Sequence, residues 1–211
     1  NTITNEIKFV VDILDTQTIS PDQKQINQFI IHENLAYIAT DFGIATYNLE
    51  NLEFNDTFFI GDSGQEIIVN QITIQNDIIY AATIGGGIRY ANLDNPNLID
   101  FNEWQAINTS NYKFIQNLND EVYVMQFNNT LLKINDDFTL SFINTFNFDV
   151  REMRNNQNSL LIVGKEQVIN YKTNGQSTII FSGFDDETSN LQSALLTDDD
   201  RLFLGDEALG L

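Results

Sequence analysis

The sequence repeats itself, and this feature limits the possible folds more than any other. The stretches INQFIIHENLAYIATDFGI and VNQITIQNDIIYAATIGGGI begin at Ile26 and Val69, 43 residues apart, with the same order of apolar, polar and turn-forming residues. Steps of 43, 43, 38 and 41 residues separate the ends of five similar strands, at Thr40, Thr83, Gln126, Gly164 and Gly205. A period of about 40 to 45 residues with several short strands per unit is typical of β-propeller blades.

Helical solenoids have similar periods, so residue type must decide between the two folds. Phe29 and Ile31 alternate with polar neighbours, and Ile72 and Ile74 take the same places in the second copy, which is the period of a strand. The stretches HEN, QND, LND, NQN and TDDD separate runs rich in Ile, Val, Tyr, Phe and Thr. These patterns predict an all-β propeller of four-stranded antiparallel blades.

The repeat divides the chain into four complete blades and two incomplete ones within a single propeller domain, 1–211. Residues 1–20 read as the outer strands of one incomplete blade and residues 190–211 as the inner strands of another. The complete blades are predicted at 21–68, 69–111, 112–148 and 149–189. Either the two halves combine into a fifth blade, or the chain is an arc of a larger ring, and we favour the larger ring. Because the sequence starts at Asn1 without methionine, we expect it to be a piece of a longer precursor.

Composition excludes several classes of partner. Ten basic residues against thirty acidic ones give a formal net charge of -20, which repels nucleic acid and anionic membrane surfaces. The chain has no cysteine, so disulfides and thiolate metal sites are not available. No apolar run is long enough to span a membrane.

The residues needed for catalysis are scarce. His32 is the only histidine and falls at a turn, while Gly85–Gly87 lie between two strands and open no helix that could hold a phosphate. Trp104, the only tryptophan, is expected to pack an outer strand onto its blade. We therefore predict a non-enzymatic domain with no catalytic residue, metal or cofactor, although a propeller lyase or glycosidase stays open as a third alternative.

Function is expected in the turns that lie between the second and third strands of each blade. These turns share one face of a propeller, and loops on a rigid scaffold are where binding residues concentrate. The candidate binding residues in them are Asp41, Phe42, Gly85, Phe127, Lys165 and Asp206. A varied, neutral to acidic face suits a protein partner or a neutral glycan better than a polyanion.

Residues 26–105 resemble a known family. The runs NLAYIATDFGIATYNLENLEFNDTFFIGDSG and NLDNPNLIDFNEW are similar to the N-terminal β-propeller of PorZ-like surface proteins of the bacterial type IX secretion system. The T-x-x-G-[IL] turns are also similar to those of two-component regulator propellers. From Tyr112 onward the sequence resembles propellers only in general.

The resemblance implies a function that the repeat alone does not. It implies a protein-interaction scaffold at the cell surface or in the periplasm of Bacteroidetes, within the type IX secretion and cargo-attachment machinery. Its implied partners are protein components of a surface complex, with a glycan or lipopolysaccharide moiety as a further partner. The alternative is an extracytoplasmic propeller that senses an oligosaccharide for a two-component regulator.

Overall fold

The computed structural model of the protein describes residues 24–172, 174–183 and 189–207. The strands expected within residues 1–20 lie outside this part of the chain. The described residues form four antiparallel sheets of four strands and one sheet of two strands. This architecture confirms the predicted all-β fold of four-stranded blades in a partial propeller.

Each four-stranded sheet is a simple meander in chain order. The strands of the first two sheets are β1 (Ile26–His32), β2 (Leu35–Thr40), β3 (Gly43–Asn48), β4 (Glu53–Phe58), β5 (Ile68–Gln75), β6 (Ile78–Ile84), β7 (Ile88–Asn92) and β8 (Gln105–Ile107). The remaining strands are β9 (Tyr112–Leu118), β10 (Glu121–Gln126), β11 (Thr130–Ile134), β12 (Leu140–Thr145), β13 (Val150–Asn156), β14 (Ser159–Gly164), β15 (Val168–Lys172), β16 (Ser177–Phe181), β17 (Leu191–Leu196) and β18 (Leu202–Asp206). Short 3-10 turns at Asp62–Gly64 and Phe101–Glu103 are the helical elements of the described residues.

Asn-Asp pairs build the tight hairpins that join the first two strands of the second and third sheets. Asn76 and Asp77 have φ angles of 49° and 59°, and Asn119 and Asp120 have φ angles of 48° and 61°. Two successive residues with positive φ match the twist of the flanking strands, and Asn and Asp tolerate this conformation better than most residues. The QND and LND signals in the sequence are therefore hairpin turns.

Neighbouring sheets pack face to face through apolar clusters. Ile44 of the first sheet and Ile72 of the second belong to one cluster, and Ile88 and Ile115 join the second sheet to the third. Equivalent clusters join the third sheet to the fourth and the fourth to the two-stranded sheet. Because each sheet buries one face against the next, the sheets stack around a common axis as propeller blades do.

Trp104 lies at the end of the long connection between β7 and β8. Its side chain is buried, its Nε1 donates to the carbonyl of Leu98 at 2.9 Å, and its ring centroid lies 5.9 Å from that of Phe58 in the first sheet. The tryptophan thus fixes the connection and packs it against the preceding sheet. The predicted burial of this side chain is confirmed, but the ring packs against the preceding sheet, whereas the sequence predicted packing of an outer strand onto its own blade.

The domain and blade limits drawn from the sequence stay a prediction. The observed sheets span 26–58, 68–107, 112–145, 150–181 and 191–206. The inner strands β1, β5, β9, β13 and β17 face the axis, and β4, β8, β12 and β16 form the outer edge.

Candidate functional site

The turns between the second and third strands of the sheets lie at one end of the molecule, which we call the turn face. It comprises these turns, at 41–42, 85–87, 127–129 and 165–167, together with Glu207 after β18. Strand order places them together because every sheet runs in the same direction from its inner to its outer strand. The connections between sheets end at the same face.

Threonine hydroxyls fix two turns of the turn face by hydrogen bonds to the backbone. Thr40 Oγ1 donates to the carbonyl of Gly43 at 2.9 Å, and Thr83 Oγ1 donates to the carbonyl of Gly87 at 2.7 Å. Gly43 has a φ of 143°, and a Cβ at this position would lie 2.3 Å from the carbonyl oxygen of Phe58. The first turn therefore requires glycine, and its backbone is held in one conformation.

Two of the predicted binding residues do not present their side chains to a partner. Phe42 is only 1% exposed, since its ring packs with Ala45 and with the partly buried Phe59 of the following connection. Asp206 is 7% exposed, and its Oδ2 accepts a hydrogen bond from the backbone N–H of Asn190 at 2.7 Å. The prediction that these two side chains are accessible to a partner is therefore wrong. The Phe42 side chain belongs to the core, and the Asp206 side chain fixes the start of β17.

The other four predicted residues lie on the turn face with varied environments. Phe127 is 47% exposed, and the Lys165 side chain is 49% exposed, with its Nζ 3.7 Å from a carboxylate oxygen of Glu166. Gly85 is exposed, and its N–H donates to Asn111 Oδ1 at 2.7 Å. Asp41 is partly exposed, and its Oδ1 accepts from Asn27 Nδ2 at 2.9 Å. The structure places these four residues on one face without showing that they bind anything.

An ion pair fixes the connection beside the second turn. Arg89 Nη2 lies 2.7 Å from Asp62 Oδ1, and the arginine side chain is 9% exposed whereas the aspartate side chain is 85% exposed. The buried arginine therefore anchors a loop that carries an accessible carboxylate. This pair adds a negative group to the turn face, in keeping with the acidic composition.

A second surface runs along the inner strands, and we call it the axial groove. It has a volume of about 530 Å³. Its lining residues are mainly amides and charged groups, with two phenyl rings: Asn27, Gln28, Phe29, Asn70, Gln71, Phe114, Gln116, Arg151, Glu152, Arg154, Asn155 and Gln192. Such a lining offers many hydrogen bonds and little net charge.

Side chains from one inner strand hold the backbone of the next. Gln28 Oε1 accepts from the N–H of Ile72 at 2.7 Å, and Gln71 Oε1 accepts from the N–H of Ile115 at 2.7 Å. Each inner strand has one edge without a neighbouring strand, so these amides satisfy donors that the sheets leave unpaired. We call these contacts the interblade links.

Glu152 makes the same kind of link between the fourth and fifth sheets. Its Oε2 accepts from the N–H of Ala194 at 2.9 Å, and its Oε1 also accepts from Arg154. None of the interblade links was predicted from the sequence. A signal was available, because the dipeptide Asn-Gln occurs at 27–28 and again at 70–71.

A β-bulge adjoins each link and carries a second contact to the next sheet. Asn27 Nδ2 donates to the carbonyl of Val69, and Asn70 Nδ2 donates to the carbonyl of Tyr112. Lys113 Nζ lies 2.9 Å from Asp149 Oδ1, and Arg151 Nη1 donates to the carbonyl of Leu191. The bulge residue thus turns toward the neighbouring sheet in four successive sheets.

Among the described residues, side-chain pKa values are shifted mainly where the side chains make structural contacts. Glu121 receives hydrogen bonds from Lys133 Nζ at 2.7 Å and from the Tyr123 hydroxyl at 2.6 Å, and these contacts, with that from Lys133 the larger, lower the pKa of its carboxyl. Burial raises the pKa of the Tyr80 hydroxyl, as do the charges of Tyr90 and Asp136. Neither arrangement pairs an acid with a base across a cavity.

Within residues 24–172, 174–183 and 189–207, no three His, Cys, Asp or Glu side chains form a group that could hold a metal ion. In this same part of the chain, no helix has the length and hydropathy to cross a membrane. Two candidate binding surfaces of the described residues are therefore the turn face and the axial groove.

Four stacked meanders around a polar groove define the chain as part of a β-propeller. Residues 3–105 match the family model of the N-terminal β-propeller domain of PorZ, a component of the type IX secretion system. The matched stretch is just under half of the chain, and the match confirms the resemblance found in the sequence. The match ends at the start of β8, close to where the sequence resemblance fades.

Solved structures show the same fold at low sequence identity. PorZ of Porphyromonas gingivalis, described as a bacterial surface component of the type IX secretion system, has a TM-score of 0.66 at 14% identity, over 89% of this chain and 24% of that one. The extracellular domain of a hybrid two-component system of B. thetaiotaomicron has a TM-score of 0.64 at 16% identity, over 92% of this chain and 27% of that one. BamB of Moraxella catarrhalis has a TM-score of 0.56 at 11% identity, over 83% of this chain and 54% of that one.

The chain spans about a quarter of the length of the first two of these structures. The comparison with curated proteins finds no match. At such identities the structural likeness establishes the fold, and the activity of the whole proteins is not transferred with it.

Proposed function

We propose that the chain is part of a non-enzymatic scaffold domain at the surface of a Bacteroidetes cell, within the type IX secretion and cargo-attachment machinery. The observation that carries this proposal is the match of residues 3–105 to the PorZ N-terminal propeller family. The fold likeness to the surface component of P. gingivalis supports the same location outside the cytoplasm. In this role the domain holds protein components of a surface complex in position.

The turn face is the proposed docking surface. Phe127 offers an exposed phenyl ring, and Lys165 offers a cation on the neighbouring sheet. Aromatic side chains are enriched at protein interfaces, and a lysine ammonium at the rim of an interface can pair with a carboxylate of the partner. The carboxylate of Asp62, which Arg89 anchors, gives the face a negative group that disfavours acidic partners.

The test uses the tagged protein in its native bacterium, with crosslinking, capture and identification of the captured proteins by mass spectrometry. Replacing Phe127 and Lys165 together by alanine should reduce recovery of type IX secretion components at least about fivefold, since loss of two contact side chains costs on the order of 1 kcal/mol or more. The matched control is Phe142→Ala, because Phe142 is 67% exposed on β12 of the same sheet as Phe127 but away from the turn face.

The control protein should capture the same components as the unchanged protein. If the double variant folds and still captures them fully, the turn face is not the docking surface. If the unchanged protein captures other complexes but no type IX component, the scaffold proposal fails.

The axial groove favours a second candidate, an oligosaccharide-sensing propeller of a two-component regulator. Its 530 Å³ lie in the range of ligand sites, and amides beside the rings of Phe29 and Phe114 are suited to a neutral sugar chain. The gene sequence beyond Leu211 separates the two candidates. A secretion-sorting domain supports the scaffold, whereas a membrane span followed by a kinase supports the sensor.

A further inference from the structure

Three aromatic rings form a stack at the end of the molecule opposite the turn face. The ring centroids of Tyr80 and Tyr90 lie 6.0 Å apart at an angle of 25°, and those of Tyr90 and Phe138 lie 4.2 Å apart at 14°. Tyr80 and Tyr90 belong to the second sheet, whereas Phe138 lies in the turn between β11 and β12 of the third. The stack therefore bridges two blades at the rim.

The backbone of Phe138 has a conformation that aromatic residues seldom adopt. Its φ is 60°, and its N–H donates to the carbonyl of Asn135 at 2.8 Å within the turn. In the equivalent turn of the fourth sheet the residue with positive φ is Gly175, which adopts it without strain. A bulky residue with this φ costs free energy, which the chain also tolerates at Leu52 in the corresponding turn of the first sheet, where φ is 61°. Phe138 is distinguished by its ring, which is stacked on Tyr90 of the neighbouring sheet.

Two clefts are lined by Phe138. The first, of about 140 Å³, also contacts the ring of Tyr80, and its polar lining residues are Gln75, Asn76, Asp120, Asn135 and Asp136. The second, of about 310 Å³, contacts the ring of Tyr90, and its polar lining residues are Asn92, Asn95, Glu103 and Gln105. We call the stack and the two clefts together the rim site.

The polar groups of the rim site are amides and carboxylates, and no lysine or arginine lines either cleft. An amide both donates hydrogen bonds to hydroxyls and accepts them, a carboxylate accepts them, and an aromatic face packs against the C–H face of a sugar ring. Asp120 and Asp136 on one side and Glu103 on the other disfavour an anionic ligand. The Tyr90 hydroxyl already donates to Gln105 Oε1 at 2.6 Å, which fixes one of these amides in place.

We propose that the rim site binds a neutral oligosaccharide, with one pyranose ring packed on Phe138 and its hydroxyls bonded to the side chains of the two clefts. The site lies on the face opposite the proposed docking surface. It can therefore be tested apart from the scaffold proposal, and either can fail without the other.

The experiment measures binding of the purified protein to five neutral tetrasaccharides built from β-glucose, mannose, xylose, galactose and N-acetylglucosamine, by saturation-transfer NMR and calorimetry. At least one should bind, and Phe138→Gly should weaken that binding about tenfold or more, because the stacking surface is lost. Phe138→Leu keeps an apolar side chain for packing but has no aromatic face, and it should weaken binding to a similar extent at an unchanged melting temperature.

Leu52→Gly is the matched control. Leu52 has a φ of 61° in the corresponding turn of the first sheet, so the variant makes the same backbone change far from the rim site. It should bind as the unchanged protein does. Binding by none of the five sugars, full binding by Phe138→Leu, or a loss of binding through Leu52→Gly would each overturn the proposal.

Discussion

Replacing Gln71 by methionine should show how much an interblade link stabilises the protein. Gln71 Oε1 accepts from the N–H of Ile115 at 2.7 Å, and its Nε2 donates to the carbonyl of Met153 at 3.3 Å. Ile115 and Met153 are both 0% exposed, so water does not replace the lost partner while the sheets stay packed. Methionine has a similar length and shape but offers neither function.

An unpaired buried N–H costs about 1 to 3 kcal/mol, and the longer bond to Met153 contributes less. The free energy of unfolding should therefore fall by about 1 to 3 kcal/mol. For a chain of this size that is a decrease in melting temperature of about 2 to 12 °C. Urea titration followed by circular dichroism measures the loss, and an unchanged slope with urea would show that the variant lowers stability without altering the surface exposed on unfolding.

Two further variants identify the cause. Gln71→Glu keeps an acceptor for the N–H of Ile115, as Glu152 does for Ala194, and should retain most of the stability. Gln116→Met lies in the same groove, and no hydrogen bond of the Gln116 side chain is found in the described part of the chain, so its effect should stay within about 0.5 kcal/mol. If Gln71→Met and Gln116→Met are equally stable, the interblade links do not contribute to the free energy of unfolding.

Two other outcomes are expected. Phe42→Ala should destabilise the protein by about 3 to 5 kcal/mol because the ring is core, whereas Phe127→Ala should change stability by less than about 0.5 kcal/mol; equal melting temperatures would contradict the assignment. Because the pKa of Glu121 is below its ordinary value of 4.5, its contribution is present above that pH and lost as the pH falls through the lowered value. Between pH 5 and 3 the melting temperature of Glu121→Gln should therefore fall less than that of the unchanged protein, and parallel curves would refute this.

Local sequence was sufficient to predict the strands and the period of the fold. Alternation at Phe29 and Ile31 and the turn pairs at Asn76 and Asn119 act within a few residues, so a pattern reveals them. The burial of Trp104 could also be predicted, because a large side chain within an insertion has few places to pack other than the neighbouring blade.

The contacts between sheets could not be predicted in the same way. Phe42 lies in a turn and precedes a glycine, which favours exposure, yet its ring packs against Phe59, and no local pattern brings these two residues together. The link from Gln71 to Ile115 joins residues 44 positions apart. Such contacts depend on how the blades stack. A single sequence reveals them only when both the side chain and its partner in the next blade occur again in another repeat.

The bulge contacts differ in chemistry from one sheet to the next: an amide at Asn27 and Asn70, an ammonium at Lys113 and a guanidinium at Arg151. Side chains of different length and charge cannot substitute for one another at a fixed spacing. A blade moved to another place in the ring would bring the wrong connector to its new neighbour. The contacts between neighbouring blades thus specify the order of the blades. Recombination that exchanges two blades should therefore preserve folding only when it exchanges the first and the second.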